Sequence, residues 1–307
     1  MLGPLGPIER ALETGFVIHR LWLESDQAAF LKETGPRIRG AVAYSGAIAA
    51  DASLVGALPN LAIIANMGAG YDSIDLDACR SRGIIVTNAG SVNAVDVAEH
   101  AFALILDVAR AVTAGDRHVR AGKWLTEGRM KPTRRLAGRR LGILGLGNIG
   151  RELALRADAF DLRVAYHNRK QRTDVPYHYV DSLVALAQEV DILAIATPGG
   201  AGTRHLVDRA VLDALGPTGI LVNIARGSVV DEPALIDALA EGRLGGAGLD
   251  VFEAEPEVPA RLLSLPNVVV TPHQGGATYE AVGAAIDVVI GNLKAYFAGH
   301  EVLYRVA

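Results

Sequence analysis

Three side chains in the second half of the chain have the types needed to reduce a carbonyl group. Arg226 stands in Asn223-Ile224-Ala225-Arg226-Gly227, Glu255 in Asp250-Val251-Phe252-Glu253-Ala254-Glu255-Pro256, and His273 in Thr271-Pro272-His273-Gln274-Gly275-Gly276. Singly, each has an ordinary reading: a surface arginine, a loop glutamate before proline, a structural histidine. Together they complement one another. An imidazole titrates near neutrality and can give a proton to a carbonyl oxygen. A neighbouring carboxylate orients the ring and favours its protonated form. An arginine binds carboxylate and carbonyl oxygens through charge-assisted hydrogen bonds. All three follow short apolar runs that read as parallel strands, at the carboxyl edge where open α/β sheets bind ligands.

Such a site needs a hydride donor, and Gly145-Leu146-Gly147-Asn148-Ile149-Gly150 fits the G-x-G-x-x-G fingerprint of a dinucleotide site. The required context is present: Leu141 to Leu144 reads as the strand leading in, and Ile149 to Phe160 as the helix leading out. Gly145 permits the tight turn, Gly147 lets the backbone approach a pyrophosphate, and Gly150 lets the helix pack close to the sheet. The helix start, with Asn148 and Ile149, offers unpaired N–H groups and a partial positive charge. After the next strand an NAD site usually carries an acid that holds the ribose 2′-OH. This chain has Tyr166-His167-Asn168-Arg169-Lys170 instead. Asn168 can hydrogen-bond a 2′-phosphate, Arg169 can add charge-assisted bonds, and Lys170 and Arg172 add positive potential. The expected cofactor is therefore NADP(H), with NAD(H) as the alternative.

The elements that must position these groups alternate along the chain. Ala41 to Tyr44, Leu61 to Ala65 and Ile84 to Thr87 read as strands of a first, small α/β unit. A long helix is expected from Asp96 to about Gly122, then a polar loop from Lys123 to Leu136. Six further strands follow, at 140–144, 163–166, 191–196, 220–224, 246–250 and 268–271. Apolar runs without polar alternation suit parallel strands buried on both faces. The tail from Ala277 to Phe297 reads as one more helix. The expectation is an α/β chain of two Rossmann-like or flavodoxin-like domains with doubly wound parallel sheets.

Composition narrows the partners. The chain has 307 residues, a formal net charge of -4 and one cysteine. An acidic chain has no general attraction for nucleic acid or an anionic membrane. A single cysteine, Cys79, forms no intramolecular disulfide and no cysteine metal cluster, so no metal is expected and a reducing, cytoplasmic setting is the simplest. The start of the chain lacks the pattern of a signal peptide, and the apolar stretch from Ala101 to Ala114 is too short and too charged to span a membrane.

The ordered set Gly-x-Gly-x-x-Gly, Asn-Ile-Ala-Arg-Gly, Asp-Val-Phe-x-x-Glu-Pro and Thr-Pro-His-x-Gly resembles the D-2-hydroxyacid dehydrogenase family, nearest its NADPH-dependent glyoxylate and hydroxypyruvate reductases. Upstream, Asn66-Met67-Gly68-Ala69-Gly70-Tyr71-Asp72 looks like that family's carboxylate-binding loop, and Val95 to His100 like the start of its interdomain helix. The resemblance implies that Arg226, Glu255 and His273 are catalytic. It implies that Ala69 and Gly70 grip the substrate carboxylate through backbone N–H groups, with Arg226 and Ser45 also facing substrate. Asp250 would bond the nicotinamide carboxamide, and Val97, Thr197, Pro198, Ile224, Ala225, His273 and Gly275 would complete the cofactor contacts. It further implies a substrate domain of residues 1–92 with 275–307, a dinucleotide domain of residues 93–274, a cleft between them, and a homodimer built on the cofactor domain. Trp124 reads either as a packing aromatic at the dimer contact or as a reach into the partner's cleft. The implied reaction is reduction of glyoxylate or hydroxypyruvate to a D-2-hydroxy acid. The alternatives are an NAD-dependent phosphoglycerate- or phosphite-type dehydrogenase and a dinucleotide-sensing regulatory protein.

Overall fold

The computed structural model describes residues 6–44 and 48–307. The chain divides into two compact units, Met1–Asn93 with Thr278–Ala307, and Ala94–Ala277. Residues 275–277, expected in the substrate-binding part, fall in the second unit. Backbone bonds hold them there: Gly275 N–H donates to Asp250 and Ala277 N–H to Gln274 O.

Among its described residues, the first unit carries a three-stranded parallel sheet, β1 (Gly40–Tyr44), β2 (Ile63–Met67) and β3 (Ile85–Thr87), in that order. Successive side chains of a strand point to opposite faces, and here the alternation feeds two cores. Ala41, Ala43, Ile64 and Val86 pack with Leu54, Val55 and Cys79. Val42, Ile63 and Ala65 pack with Ile8, Leu12, Val289 and Leu293. The covering helices are α1 (Gly6–Leu12), α2 (Gln27–Thr34), α3 (Ala52–Ala57), α4 (Leu76–Ser81) and the C-terminal helix Tyr279–Phe297. Asp26, Asp51 and Asp75 cap α2, α3 and α4 by accepting from Ala29, Leu54 and Ala78 N–H, which satisfies donors that have no partner inside a helix.

The second unit is built on β4 (Arg140–Leu144), β5 (Arg163–His167), β6 (His178–Tyr179), β7 (Ile192–Ile195), β8 (Ile220–Asn223), β9 (Gly246–Leu249) and β10 (Val268–Val270). All pairings are parallel, in the order β10-β9-β8-β7-β4-β5-β6. The strand order reverses between β4 and β7, which defines the crevice at which such sheets bind dinucleotides. The helices are α5 (Ala94–Arg110), α6 (Val112–Arg120), α7 (Lys123–Glu127), α8 (Asn148–Ala159), α9 (Leu183–Glu189), α10 (Arg209–Leu215), α11 (Glu232–Ala240) and α12 (Ala260–Leu263). As in the first unit, alternate strand residues serve opposite cores: Leu141, Ile143, Ile192 and Ala194 one, and Leu144, Leu193 and Ile195 the other.

Three local expectations are corrected. The helix expected from Asp96 to Gly122 is two helices, broken at Ala111, whose φ is 55°. Asp107 causes the break: its carboxylate accepts from both the N–H and the hydroxyl of Thr113, capping α6 from the preceding turn. The expected loop from Lys123 contains the short helix α7. The six strands expected in this part are joined by a seventh, β6, a two-residue edge strand too short to leave a periodic trace.

Candidate active site

The imidazole and the carboxylate singled out above meet. His273 Nδ1 lies 2.7 Å from Glu255 Oε2. Glu255 Oε1 accepts from Phe252 N–H at 2.9 Å, so one carboxylate closes its own loop and orients the ring. The hydrogen bond that His273 donates to Glu255 raises the His273 pKa, and the Glu255 and Asp250 charges add to this against the opposing effects of burial and Arg226. Burial alone would push Glu255 up, but the bonds from His273 and Phe252 and the His273 and Arg226 charges hold it below the usual carboxylate range. The arrangement is an ionised acid beside a ring that keeps its proton to higher pH than an ordinary histidine, with Nε2 as the nitrogen left to carry it.

His273 itself has a φ of 54°, an uncommon backbone conformation outside glycine. Asp250 holds the loop in that shape. Its backbone O accepts from His273 N–H, and its carboxylate accepts from the Thr271 hydroxyl at 2.5 Å and from Gln274 and Gly275 N–H at 2.8 Å each. His100 Nε2 approaches the same carboxylate at 3.2 Å. Burial would raise the Asp250 pKa, but these donors lower it. The residue implied as a nicotinamide contact is thus also the buried peg of the His273 loop. His100 and Thr271 were not singled out from sequence, because their partner lies on another element and no fixed spacing reports it.

Arg226 follows β8, and buried Asn223 shapes its turn. The Asn223 amide donates to Arg226 O at 2.9 Å and accepts from Ala225 N–H at 3.0 Å. A Cβ on Gly227 would fall 1.9 Å from the Phe252 carbonyl carbon, so glycine there lets the Glu255 loop lie directly against the arginine's turn. Arg226 acts by charge on both Glu255 and His273. A further pair not read from sequence ties this loop to the segment after β7: Arg204 and His205 both bond Glu253 Oε1, at 2.7 and 3.1 Å.

The glycine loop joins β4 to α8. Gly145 has a φ of 98°, and a Cβ there would lie 2.7 Å from Thr197 N, beside Pro198. A Cβ on Gly150 would lie 2.4 Å from Gly145 O. Both glycines are required by the fold. Gly147 is different, because a Cβ there would meet no heavy atom within 4 Å. Its bare backbone leaves the N-terminus of α8, at Asn148 and Ile149, uncovered, as a dinucleotide pyrophosphate requires. Asn168 Oδ1 accepts from Leu146 N–H at 2.7 Å, which leaves the amide NH₂ as a donor beyond the loop. Arg169 and Lys170 are exposed and, among the described residues, make no ion pair. Arg172 is instead held by Asp174, whose pKa this contact lowers to about 2. Asp174 also bonds Arg151 at 3.1 Å, so one carboxylate is shared by two arginines, and the exposed Arg169 and Lys170 add to the positive potential. These groups fit a cofactor with a 2′-phosphate.

Val97, Ile224 and Ala225 are buried in the cores of this unit. Gly275 packs tightly, since a Cβ would come 3.0 Å from Asp250 Oδ2 and 3.7 Å from Val97. In the first unit, carbonyls of the Gly68–Gly70 loop are turned inward. Asn66 donates to Gly68 O and Gly70 O, and Asn88 donates to Ala69 O. The N–H groups of Ala69 and Gly70 have no acceptor among the described residues, the arrangement of a backbone anion nest. Ser45 lies outside the described residues.

Residues 102–275 match the family model described as D-isomer specific 2-hydroxyacid dehydrogenase, NAD binding domain. The chain is 46% identical over 296 residues to a hydroxyphenylpyruvate reductase of Plectranthus scutellarioides, covering 96% of this chain and 94% of that protein. It is equally similar, at 46% over 296 residues and the same coverage, to a glyoxylate/hydroxypyruvate reductase A of Arabidopsis thaliana. Among solved structures, the NADPH-dependent glyoxylate/hydroxypyruvate reductase of Sinorhizobium meliloti in complex with NADP and malonate superposes with a TM-score of 0.91. That structure is 39% identical, over 99% of this chain and 95% of its own.

Proposed function

The chain belongs to the D-isomer specific 2-hydroxyacid dehydrogenases, and from that premise we propose that it reduces small 2-oxo acids, glyoxylate and hydroxypyruvate foremost, to D-2-hydroxy acids with NADPH. It is an NAD(P)-dependent oxidoreductase. The observation that carries the reading is the His273–Glu255 pair, a histidine whose proton is retained and whose ring is fixed.

A bound reduced nicotinamide supplies the hydride that adds to C2 of the substrate. His273 Nε2 gives its proton to the carbonyl oxygen, so the carbonyl group becomes an alcohol and the ring becomes neutral. Glu255 stabilises the imidazolium before that transfer and keeps Nε2 aimed after it. Arg226 draws electron density toward the carbonyl oxygen and binds the substrate's carboxylate side. The N–H groups of Ala69 and Gly70 take the carboxylate itself. Asn168, Arg169 and Lys170 would hold the 2′-phosphate, the α8 N-terminus the pyrophosphate and Asp250 the nicotinamide carboxamide, with Val97, Thr197, Pro198, Ile224, Ala225 and Gly275 completing the cofactor contacts.

We further propose a homodimer through the second unit. Trp124, Leu125, Val112 and Val119 on and beside α6 and α7 are exposed apolar groups, and exposed apolar clusters on a soluble unit mark contact surfaces. The strand β10 stands at one edge of the sheet, with Val270 exposed. No described helix is long and apolar enough to cross a membrane, and the cytoplasm is the proposed setting.

The test is a panel of glyoxylate, hydroxypyruvate, pyruvate and hydroxyphenylpyruvate, each assayed with NADPH and NADH. The highest kcat/KM is expected for glyoxylate or hydroxypyruvate with NADPH. A preference for NADH, or turnover of none of the four, overturns the proposal.

A further inference from the structure

The first unit holds a recess that the proposed reaction does not use. A cavity of about 590 Å³ opens at the amino end of β1, with Gly40 to Val42 in its wall. Its interior is apolar, formed by Leu12, Phe16, Phe30, Leu31, Leu293 and Phe297. The charged side chains that line it are Arg37 and Arg39, with the half-buried imidazole of His19 beside them and Glu24 acting on that imidazole from outside the lining. Small-molecule sites have this character: about 300–1,000 Å³, mostly apolar and aromatic walls, and a few placed polar groups.

The arginines are available. Among the described residues, the contacts of their side chains are the Thr34 hydroxyl for Arg37 and the Phe297 ring for Arg39, and neither pairs with a carboxylate. The Arg39 guanidinium carbon stands 5.3 Å from the Phe297 ring centroid, so an aromatic wall of the cavity holds that charge in place. Arginine is also the cation whose planar donor fork matches a carboxylate. The recess is separate from the Gly68–Gly70 loop. β1 runs from Gly40 in the cavity wall to Tyr44, which pairs with Met67 at the foot of that loop, a strand length of roughly 13 Å.

We propose that this cavity binds a small amphipathic monocarboxylate, with its apolar body against Phe16, Phe30 and Phe297 and its carboxylate on Arg37 and Arg39. Two arginines over an apolar floor call for both a charge and an apolar body, and a purely apolar or purely anionic ligand satisfies only half of that.

Octanoate is the probe, followed by displacement of the fluorescent dye anilinonaphthalene sulfonate and by calorimetry on the full-length protein. Octanoate is expected to bind one site per chain. R37E/R39E weakens it at least tenfold, and Leu31→Trp, which fills the cavity, does the same. Neither change alters kcat/KM for glyoxylate and NADPH by more than twofold, which also shows that both variants fold. NADPH alone and glyoxylate alone leave octanoate binding unchanged. The proposal is overturned if octanoate does not bind at millimolar concentration, if both variants bind it normally, if n-octanol binds as tightly as octanoate, or if glyoxylate displaces it.

Discussion

Asn168→Asp is the sharpest perturbation of cofactor choice, because it exchanges one NH₂ for an oxygen and little else. The oxygen that accepts from Leu146 N–H at 2.7 Å is kept, so the glycine loop retains its tie. What changes is the outward half of the side chain. A donor to the 2′-phosphate is lost, and a charge-assisted hydrogen bond of that kind contributes ~1.5–3 kcal/mol. A like charge is gained, and two unit charges at about 4 Å in water-like surroundings repel by ~1 kcal/mol. The sum is about 2.5–4 kcal/mol, a loss of roughly 60- to 700-fold at ~1.4 kcal/mol per decade. The assay is kcat/KM for NADPH and for NADH at saturating glyoxylate, beside the melting temperature. NADPH efficiency should fall by that factor. NADH efficiency should hold or rise, since the new carboxylate can accept from a ribose 2′-OH. The melting temperature should stay within a degree or two. A fall of less than threefold with NADPH, or an equal fall with both cofactors, would refute the assignment of Asn168 to the 2′-phosphate.

His273→Ala should lower kcat by about 10²-fold or more, the scale of a lost general acid, while NADPH binding measured by fluorescence persists; near-normal turnover would sink the mechanism. Glu255→Gln removes the partner that raises the His273 pKa. Activity needs the protonated ring and is lost as pH rises through that pKa, so the alkaline limb of kcat/KM should move to lower pH, and an unmoved limb would contradict the pairing. Gly145→Ala forces a side chain onto a φ of 98° and against Thr197 N. A loss of ~1–3 kcal/mol in stability and a raised KM for NADPH are expected, and an unchanged melting curve would show that the turn tolerates a Cβ.

The central strands β1, β2, β4, β7 and β8 were legible because each is a mostly apolar run of four or five residues buried on both sides, and burial on both sides selects residues by hydrophobicity. β6 was not legible, since two residues make no pattern. The break at Ala111 was hidden for a related reason. Apolar spacing continues across it, and the deciding contact, Asp107 to Thr113, is a side-chain bond that periodicity does not register.

The amino-acid order by itself determined the alternating α/β plan, the glycine loop with its flanking strand and helix, and the absence of an acid after β5. These depend on residue type and short-range spacing, and short-range spacing is what a chain carries without folding. The tertiary structure decided which groups act on one another. Glu255 and His273 are 18 residues apart, yet they meet at 2.7 Å because two neighbouring strands deliver their loops to the same sheet edge. Asp250, a cofactor residue by resemblance, proved to be the peg that holds His273 in its left-handed backbone. Arg172, basic in sequence, is drawn onto Asp174, which it shares with Arg151, while Arg169 and Lys170 stay exposed. In each case charge and hydrogen bonding act over a few ångströms in space, and that distance is set by packing rather than by position along the chain.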